Sequence, residues 1–370
     1  MHPSDRCSSR FSPFNERAPV EAAVLTGPQS IEIRHLLDPA APSDGLVLKV
    51  EACGICGSDV RRWKEGPSKD AGAVTPGHEV SGSVLEVGSG VRDFKPGERL
   101  GVGPDIHCGK CYYCRRGMYN LCDNLRFLGI TPGHPGGFAE KLVLTKDTLT
   151  NGIVHRMPAD LSYVEGALAE PCSSVLTCHE KARTGSDDTV VVLGAGPIGC
   201  LHVSLAKARG ARTFVSEPSE SRRRLVSRFQ PDAVVNPESE DAVARVRDLT
   251  DGLGADIVIC ANPVAATHQQ AVEMVCKGGR VVLFGGLPKS NPMTTLDANR
   301  IHYGEIEVVG SFSYQPVAHE RALELLRQKL ISSDLLITHR FPLERIAEAF
   351  RVASSGESLK VMIVTSREYL

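Results

Sequence analysis

The sequence has 370 residues, 42% of them hydrophobic, with 35 glycines, and this suits a folded α/β chain of two domains better than a single hydrophobic core. A formal net charge of -2, with acidic and basic residues interspersed, argues against a nucleic-acid or polyanion partner. No apolar run approaches the roughly 20 residues of a membrane span, so no membrane partner is expected and cytoplasm is the default location.

The chain opens with MHPSDRCSSRFSPF, a polar stretch without the apolar centre of a secretory signal, and residues 1–18 are expected to form a flexible extension. From Glu21 to about Glu165 short apolar segments are cut by Gly and Pro, as in GLVLKVEACG and HEVSGSVLEVGSG, a pattern of hairpin-rich small-barrel structure. The rhythm then changes. TVVVLGAGPIGCLHVSLAKARGA reads as strand, glycine turn and helix, and RTFVS, AVVN, ADIVICA and RVVLFGG follow between helical segments. Short apolar strands alternating with helices predict parallel βαβ units and a doubly wound sheet. After Leu296 come EIEVVGSF, two amphipathic helices and a closing strand LKVMIVT, which is expected to complete the first domain. The expected organisation is a β-rich catalytic domain from 19–165 and 305–370, with a cofactor domain inserted at 166–304.

VVVLGAGPIG places Gly194, Gly196 and Gly199, with Pro197 and Ile198 between the last two, after an apolar strand and at the mouth of a helix. Such a turn lets backbone approach a pyrophosphate, and the helix N-terminus supplies donors and a positive dipole end. The next strand ends at Glu217, which could accept hydrogen bonds from an adenosine ribose and would repel a 2'-phosphate, so NAD is expected over NADP. Arg222, in the run Arg222 to Arg224, either faces the ligand or lies on a solvated helix face.

Twelve cysteines without an export signal are expected to be reduced, and the grouped ones to be metal ligands. Cys108, Cys111, Cys114 and Cys122 fill a tetrahedral shell, which leaves no open position and implies a structural site. A disulfide pair is the weaker reading, and ligand type alone also allows an iron–sulfur cluster. A second, scattered set comprises Cys56, His78, Glu79 and Glu170, with Cys172 two residues further on. Thiolate, imidazole and carboxylate suit a zinc site that keeps a position open for substrate.

GICGSD at 54–59, PGHEVSG at 76–82, HCGKCYYCRRGMYNLC at 107–122, GGFAE at 136–140 and VLGAGPIG at 192–199 occur in an order that resembles the zinc-dependent medium-chain alcohol dehydrogenases. THRFPLERIAEAF at 338–350 extends the likeness almost to the end, and EP at 170–171 resembles the polyol branch, near sorbitol and threonine dehydrogenases. The resemblance implies a GroES-like catalytic domain, an inserted Rossmann domain, NAD, and two zinc ions per chain, one catalytic and one structural. It implies that Cys56, His78, Glu79 and Glu170 serve the catalytic zinc, that Asp59 orients His78, and that Ser58 relays the alcohol proton. It also implies that Cys108, Cys111, Cys114 and Cys122 hold the structural zinc, and that the chain forms a homodimer or homotetramer. Two departures stand out. Arg61 occupies the place where many relatives carry a proton-shuttling histidine, and Ser313 replaces the arginine of an Arg-Tyr substrate pair of which Tyr314 is retained. Trp63 is expected either as an apolar wall of the pocket or as core. The expected reaction is oxidation of a secondary alcohol of a polyol, sugar alcohol or cyclitol, with threonine oxidation, an NADP-linked alcohol dehydrogenase and a non-catalytic protein of the same fold as alternatives.

Overall fold

The computed structural model describes residues 18–67 and 74–370, so the expected N-terminal extension lies, but for Ala18, outside the described residues. In the second half of the chain six strands form one parallel sheet. Thr189–Leu193 is flanked on one side by Arg212–Ser216 and then Ala233–Val235, and on the other by Ala255–Cys260, Val275–Leu283 and Glu307–Gly310. The sequence TVVVL suits the centre of this sheet: its three valines are buried and covered by helices on both faces. Strand order reverses between Thr189–Leu193 and Ala255–Cys260, the crevice where doubly wound sheets bind ligands at their carboxyl ends.

The strand Glu307–Gly310 pairs with Val275–Leu283 and lies at the edge of this sheet. The expected boundary at 304/305 therefore falls one strand too early. Parallel pairing decides the matter, since a strand belongs to the sheet that satisfies its backbone groups.

The first domain carries a seven-stranded sheet built around Leu46–Gly54, which pairs antiparallel with Glu79–Val87, Lys141–Leu144 and the chain's last strand, Lys360–Val364. The closing strand thus returns to the first domain, as its sequence led one to expect, and delivers Lys360 beside the N-terminal end of Glu79–Val87. The helix Ala169–Lys181 bridges the two halves. It packs on strands Glu79–Val87 and Arg99–Gly103 of the first domain, and on helices Pro197–Ala208 and Pro316–Arg327. Its own first turn holds Glu170. Among the described residues no helix is long and apolar enough to cross a membrane.

Candidate active site

Cys56 sits at the N-cap of the helix Gly57–Glu65, and its backbone amide donates to Asp59 Oδ2 at 3.0 Å. That bond fixes the Asp59 carboxylate in the first turn. Its other oxygen, Oδ1, lies 3.3 Å from His78 Nδ1, a contact of charge rather than an aligned hydrogen bond. His78 therefore turns Nε2 the opposite way, where Ser58 Oγ approaches to 3.5 Å. Gly77 makes this placement possible: it has φ +98°, and a Cβ there would lie 2.8 Å from Cys53 Sγ and from the Phe138 amide nitrogen.

Donor atoms of Cys56, His78 and Glu79 lie within 4.8 Å of one another. Burial works against a charged His78, but the Asp59 carboxylate and the Cys56 thiol outweigh it and raise the imidazole well above its usual range. The proton occupies the place a cation would take, because metal binding displaces protons from such ligands. Sulfur, nitrogen and carboxylate oxygen at this spacing fit zinc.

Sequence reasoning missed Lys360. Its Nζ donates to both Glu79 oxygens, at 2.6 and 2.7 Å, and contacts the Ile55 carbonyl at 3.4 Å. Burial alone would lower the Lys360 ammonium, yet the Glu79 carboxylate and the Cys56 thiol turn the shift upward. Glu79 is thus neutralised by a lysine as well as standing among the metal donors. A lone lysine opening the otherwise apolar strand KVMIV was the available signal, since a fully buried strand carries a charge only against a partner.

Glu170 falls outside the 4.8 Å group but shares its field. Burial, reinforced by like charge on Glu79 and Asp105, pushes its carboxyl up to about 8. Asp105 was also missed. It is 6% exposed, accepts a 2.6 Å hydrogen bond from Ser313 Oγ, and is pushed up to about 6 by burial. Tyr314 is 1% exposed, its hydroxyl has no hydrogen-bond partner among the described residues, and the nearby Glu170 and Asp105 carboxylates add to burial in raising its pKa.

Trp63 is core and not a pocket wall. It packs with Phe350, ring centroids 5.7 Å apart, inside the first domain's apolar cluster. It lies one helical turn beyond Asp59, which carries its large ring past the site and into the barrel. Cys172 is fully buried in the apolar cluster along the bridging helix, and burial raises its thiol. Arg61 is exposed, and Arg62 Nη1 donates to the Gly129 carbonyl at 2.7 Å.

The four clustered cysteines converge as a second donor group, with no disulfide among them. Backbone amides point at their sulfurs: Cys108 N and Asn124 N reach Cys122 Sγ at 3.2 and 3.3 Å, and Cys114 N reaches Cys111 Sγ at 3.5 Å. The amide of Lys110 leads in drawing the Cys108 thiol down to about 6, whereas burial sends Cys114 up to about 12. Such a set shares its protons poorly and is satisfied by one cation. This lobe also holds a distant segment. Asn120 Nδ2 donates to the Phe312 carbonyl at 2.8 Å, Gln315 Nε2 to Asn120 Oδ1 at 2.7 Å, and the Tyr119 amide to Gln315 Oε1 at 3.2 Å. Ser313 and Tyr314 lie between those anchors.

In the glycine turn, Gly196 caps the helix Pro197–Ala208, and a Cβ on Gly196 would meet nothing within 4 Å, so its face is open. A Cβ on Gly199 would lie 2.0 Å from the Gly194 carbonyl oxygen, so the helix can pack on the strand only with glycine there. Ile198 is partly buried against the core. Glu217 is 3% exposed and accepts from the Ala195 amide at 2.7 Å and the Ser219 amide at 2.9 Å, tying the turn to the neighbouring strand. Arg223, not Arg222, grips the Glu217 and Pro218 carbonyls.

A parallel dinucleotide-type sheet and a zinc-competent thiolate–imidazole–carboxylate group in one chain define a metal-dependent dehydrogenase. The chain matches the family described as alcohol dehydrogenase GroES-like domain over residues 42–159 and that described as zinc-binding dehydrogenase over residues 197–328. It is 32% identical to the sorbitol dehydrogenase of Bacillus subtilis (strain 168), over 94% of this chain and 98% of that one. It is 34% identical to the L-threonine 3-dehydrogenase of Thermococcus kodakarensis, over 88% and 92% of the two. A solved zinc-binding dehydrogenase of Sinorhizobium meliloti 1021, bound to NADP, superposes with a TM-score of 0.86 at 34% identity, over 94% of this chain and 100% of the other. The chain belongs to the zinc-type medium-chain alcohol dehydrogenase family. Its activity is that of an NAD(P)-dependent oxidoreductase acting on an alcohol through a zinc site. Relatives with different substrates match comparably, so the comparisons define the family and not its branch.

Proposed function

We propose that the protein oxidises a secondary alcohol of a polyol, sugar alcohol or cyclitol to a ketone with NAD⁺. The observation that carries this reading is the Cys56, His78 and Glu79 group, within 4.8 Å, beside Glu170 and a hydroxyl relay. When bound, zinc lowers the pKa of the alcohol and NAD⁺ accepts its hydride. The chain's own residues do the rest. Cys56 and His78 hold the metal, with Glu79 as third ligand or Lys360 partner and Glu170 alongside. Asp59 fixes His78 through Nδ1, which leaves Nε2 for the metal and raises its basicity. Ser58, next to that nitrogen, would take the alcohol proton while passing its own on through the cofactor ribose hydroxyls to water, because Arg61 stays protonated and cannot accept it. Cys108, Cys111, Cys114 and Cys122 hold a structural zinc.

The open Gly196 face and the Pro197 helix start receive the pyrophosphate. Glu217, already holding two amides, keeps lone pairs for the adenosine ribose, and its charge favours NAD over NADP. Arg222 makes no side-chain hydrogen bond among the described residues and is free to join that site. The edge strand Glu307–Gly310, near exposed Tyr303, supports pairing of two copies into a dimer or tetramer. A panel of polyols, cyclitols, aldonates and threonine, scored by NAD⁺ and NADP⁺ reduction, tests the reading. Turnover that persists in a folded Cys56→Ser variant would overturn the assignment of the site.

A further inference from the structure

The segment from Ser311 to Gln315 touches three parts of the molecule. At its start the Ser311 amide donates to the Leu283 carbonyl at 3.1 Å, where a strand of the parallel sheet ends. In its middle Ser313 Oγ donates to Asp105 Oδ2 at 2.6 Å, and Tyr314 is buried beside Glu170; burial together with that carboxylate keeps the phenol neutral. Its flanks are tied to the four-cysteine lobe. The Tyr119 amide donates to Gln315 Oε1 at 3.2 Å, Gln315 Nε2 to Asn120 Oδ1 at 2.7 Å, and Asn120 Nδ2 to the Phe312 carbonyl at 2.8 Å. A backbone donor at one end and a backbone acceptor at the other fix both side-chain amides, so the three bonds form one directed clamp. Tyr119 and Asn120 lie in the short turn Tyr119–Leu121, which runs straight into Cys122, so the clamp follows the sulfurs. Between the two anchors Ser313 holds φ at +49°, in the left-handed region that a residue with a Cβ keeps only where its surroundings enforce it.

Resting on the two-zinc dehydrogenase reading above, we propose that Asn120 and Gln315 are positioning residues that couple the two metal sites. With metal among Cys108, Cys111, Cys114 and Cys122, the clamp holds Ser313 in its left-handed turn and Tyr314 against Glu170. Without it the four sulfurs lose the cation that draws them together, the turn before Cys122 shifts, and Ser313 relaxes. Tyr314 then leaves Glu170, and the Cys56, His78 and Glu79 group binds zinc less tightly. Groups that orient metal ligands from outside typically contribute 10–100-fold to affinity. Tyr314 acts on Glu170, which stands alongside the three-donor group, so the coupling is expected near the lower end, at about 5–10-fold. The coupling is reciprocal: zinc at the catalytic group also strengthens binding in the four-cysteine lobe by the same factor. The four cysteines therefore set the catalytic site and do more than brace a loop.

The probe is zinc itself, titrated against a chromogenic chelator, with Cys56→Ser identifying the step that belongs to the catalytic group. Gln315→Met leaves every metal ligand in place, and Gln315 makes no capping bond to the helix Pro316–Arg327 that it precedes. This variant should still bind two zinc ions, with the catalytic step weaker by about 5-fold or more. Cys111→Ser should weaken that step to the same degree, and adding it to Gln315→Met should weaken it no further, since the clamp is already cut. Gln315→Glu keeps the acceptor for the Tyr119 amide and should fall between the parent and Gln315→Met. A catalytic step unchanged in Gln315→Met, or losses from the two changes that simply add, would overturn the inference. Gln315→Met retains all four cysteines, so it suffices if Cys111→Ser does not fold. Coupled zinc binding without turnover of any alcohol keeps this inference and removes the dehydrogenase reading, whereas turnover with uncoupled sites does the reverse. A chain that binds no zinc through Cys56 removes both.

Discussion

Lys360→Met removes the ammonium that donates to both oxygens of Glu79, in a place where the lysine is 2% and the glutamate 0% exposed. The methionine fills much the same volume, so the change leaves a carboxylate buried without its counter-charge and little else altered. Breaking a buried pair from one side costs about 3–5 kcal/mol, whereas removing both charges is often neutral. The metal-free variant should therefore lose about 3–5 kcal/mol in urea unfolding at pH 8, and Glu79→Gln/Lys360→Met should regain most of it. Added zinc should stabilise Lys360→Met more than the parent, because the freed carboxylate gains a cation. A single variant within about 1 kcal/mol of the parent, or a double variant no better than the single, would refute the reasoning.

Gly199→Ala places a Cβ that would lie 2.0 Å from the Gly194 oxygen, so strand and helix must part, and NADH affinity by fluorescence titration should fall about 10-fold or more. Cys111→Ser should leave one zinc per chain by mass spectrometry and raise KM more than it lowers kcat, since the lobe anchors the segment carrying Ser313 and Tyr314 through Asn120 and Tyr119. Burial tends to raise Glu165, but its bonds to Lys329, Ser162 and Ser333 outweigh this and hold its carboxyl below the usual range. A depressed folded pKa contributes stability that is present above the unfolded value and lost as pH falls through the folded one, so Glu165→Gln should flatten the acid limb of the stability profile and lower stability at pH 7.

How much of this was legible in the chain depended on the range of the interaction involved. The glycine turn and the four-cysteine cluster are local: backbone geometry and close spacing are written in consecutive residues, and so were the sheet classes that β-branched runs and helical periodicity imply. The strand Glu307–Gly310 was placed on the wrong side of the domain boundary because its apolar pattern does not say which sheet will satisfy its amides. Trp63 was ambiguous because helical phase puts it on Asp59's side without saying how far along the axis the pocket ends. Lys360 and Asp105 were overlooked for a related reason. Their meaning comes from partners 281 and 208 residues away, Glu79 and Ser313, and a local pattern such as the lone lysine of KVMIV says at most that a partner exists, not which residue it is. The sequence by itself determined the class of chemistry, since donor types and their spacing select zinc and a dinucleotide. Only the tertiary structure decided the electrostatic character of the substrate cleft, because that field is a sum over side chains from four separate segments which burial, and not sequence order, brings together.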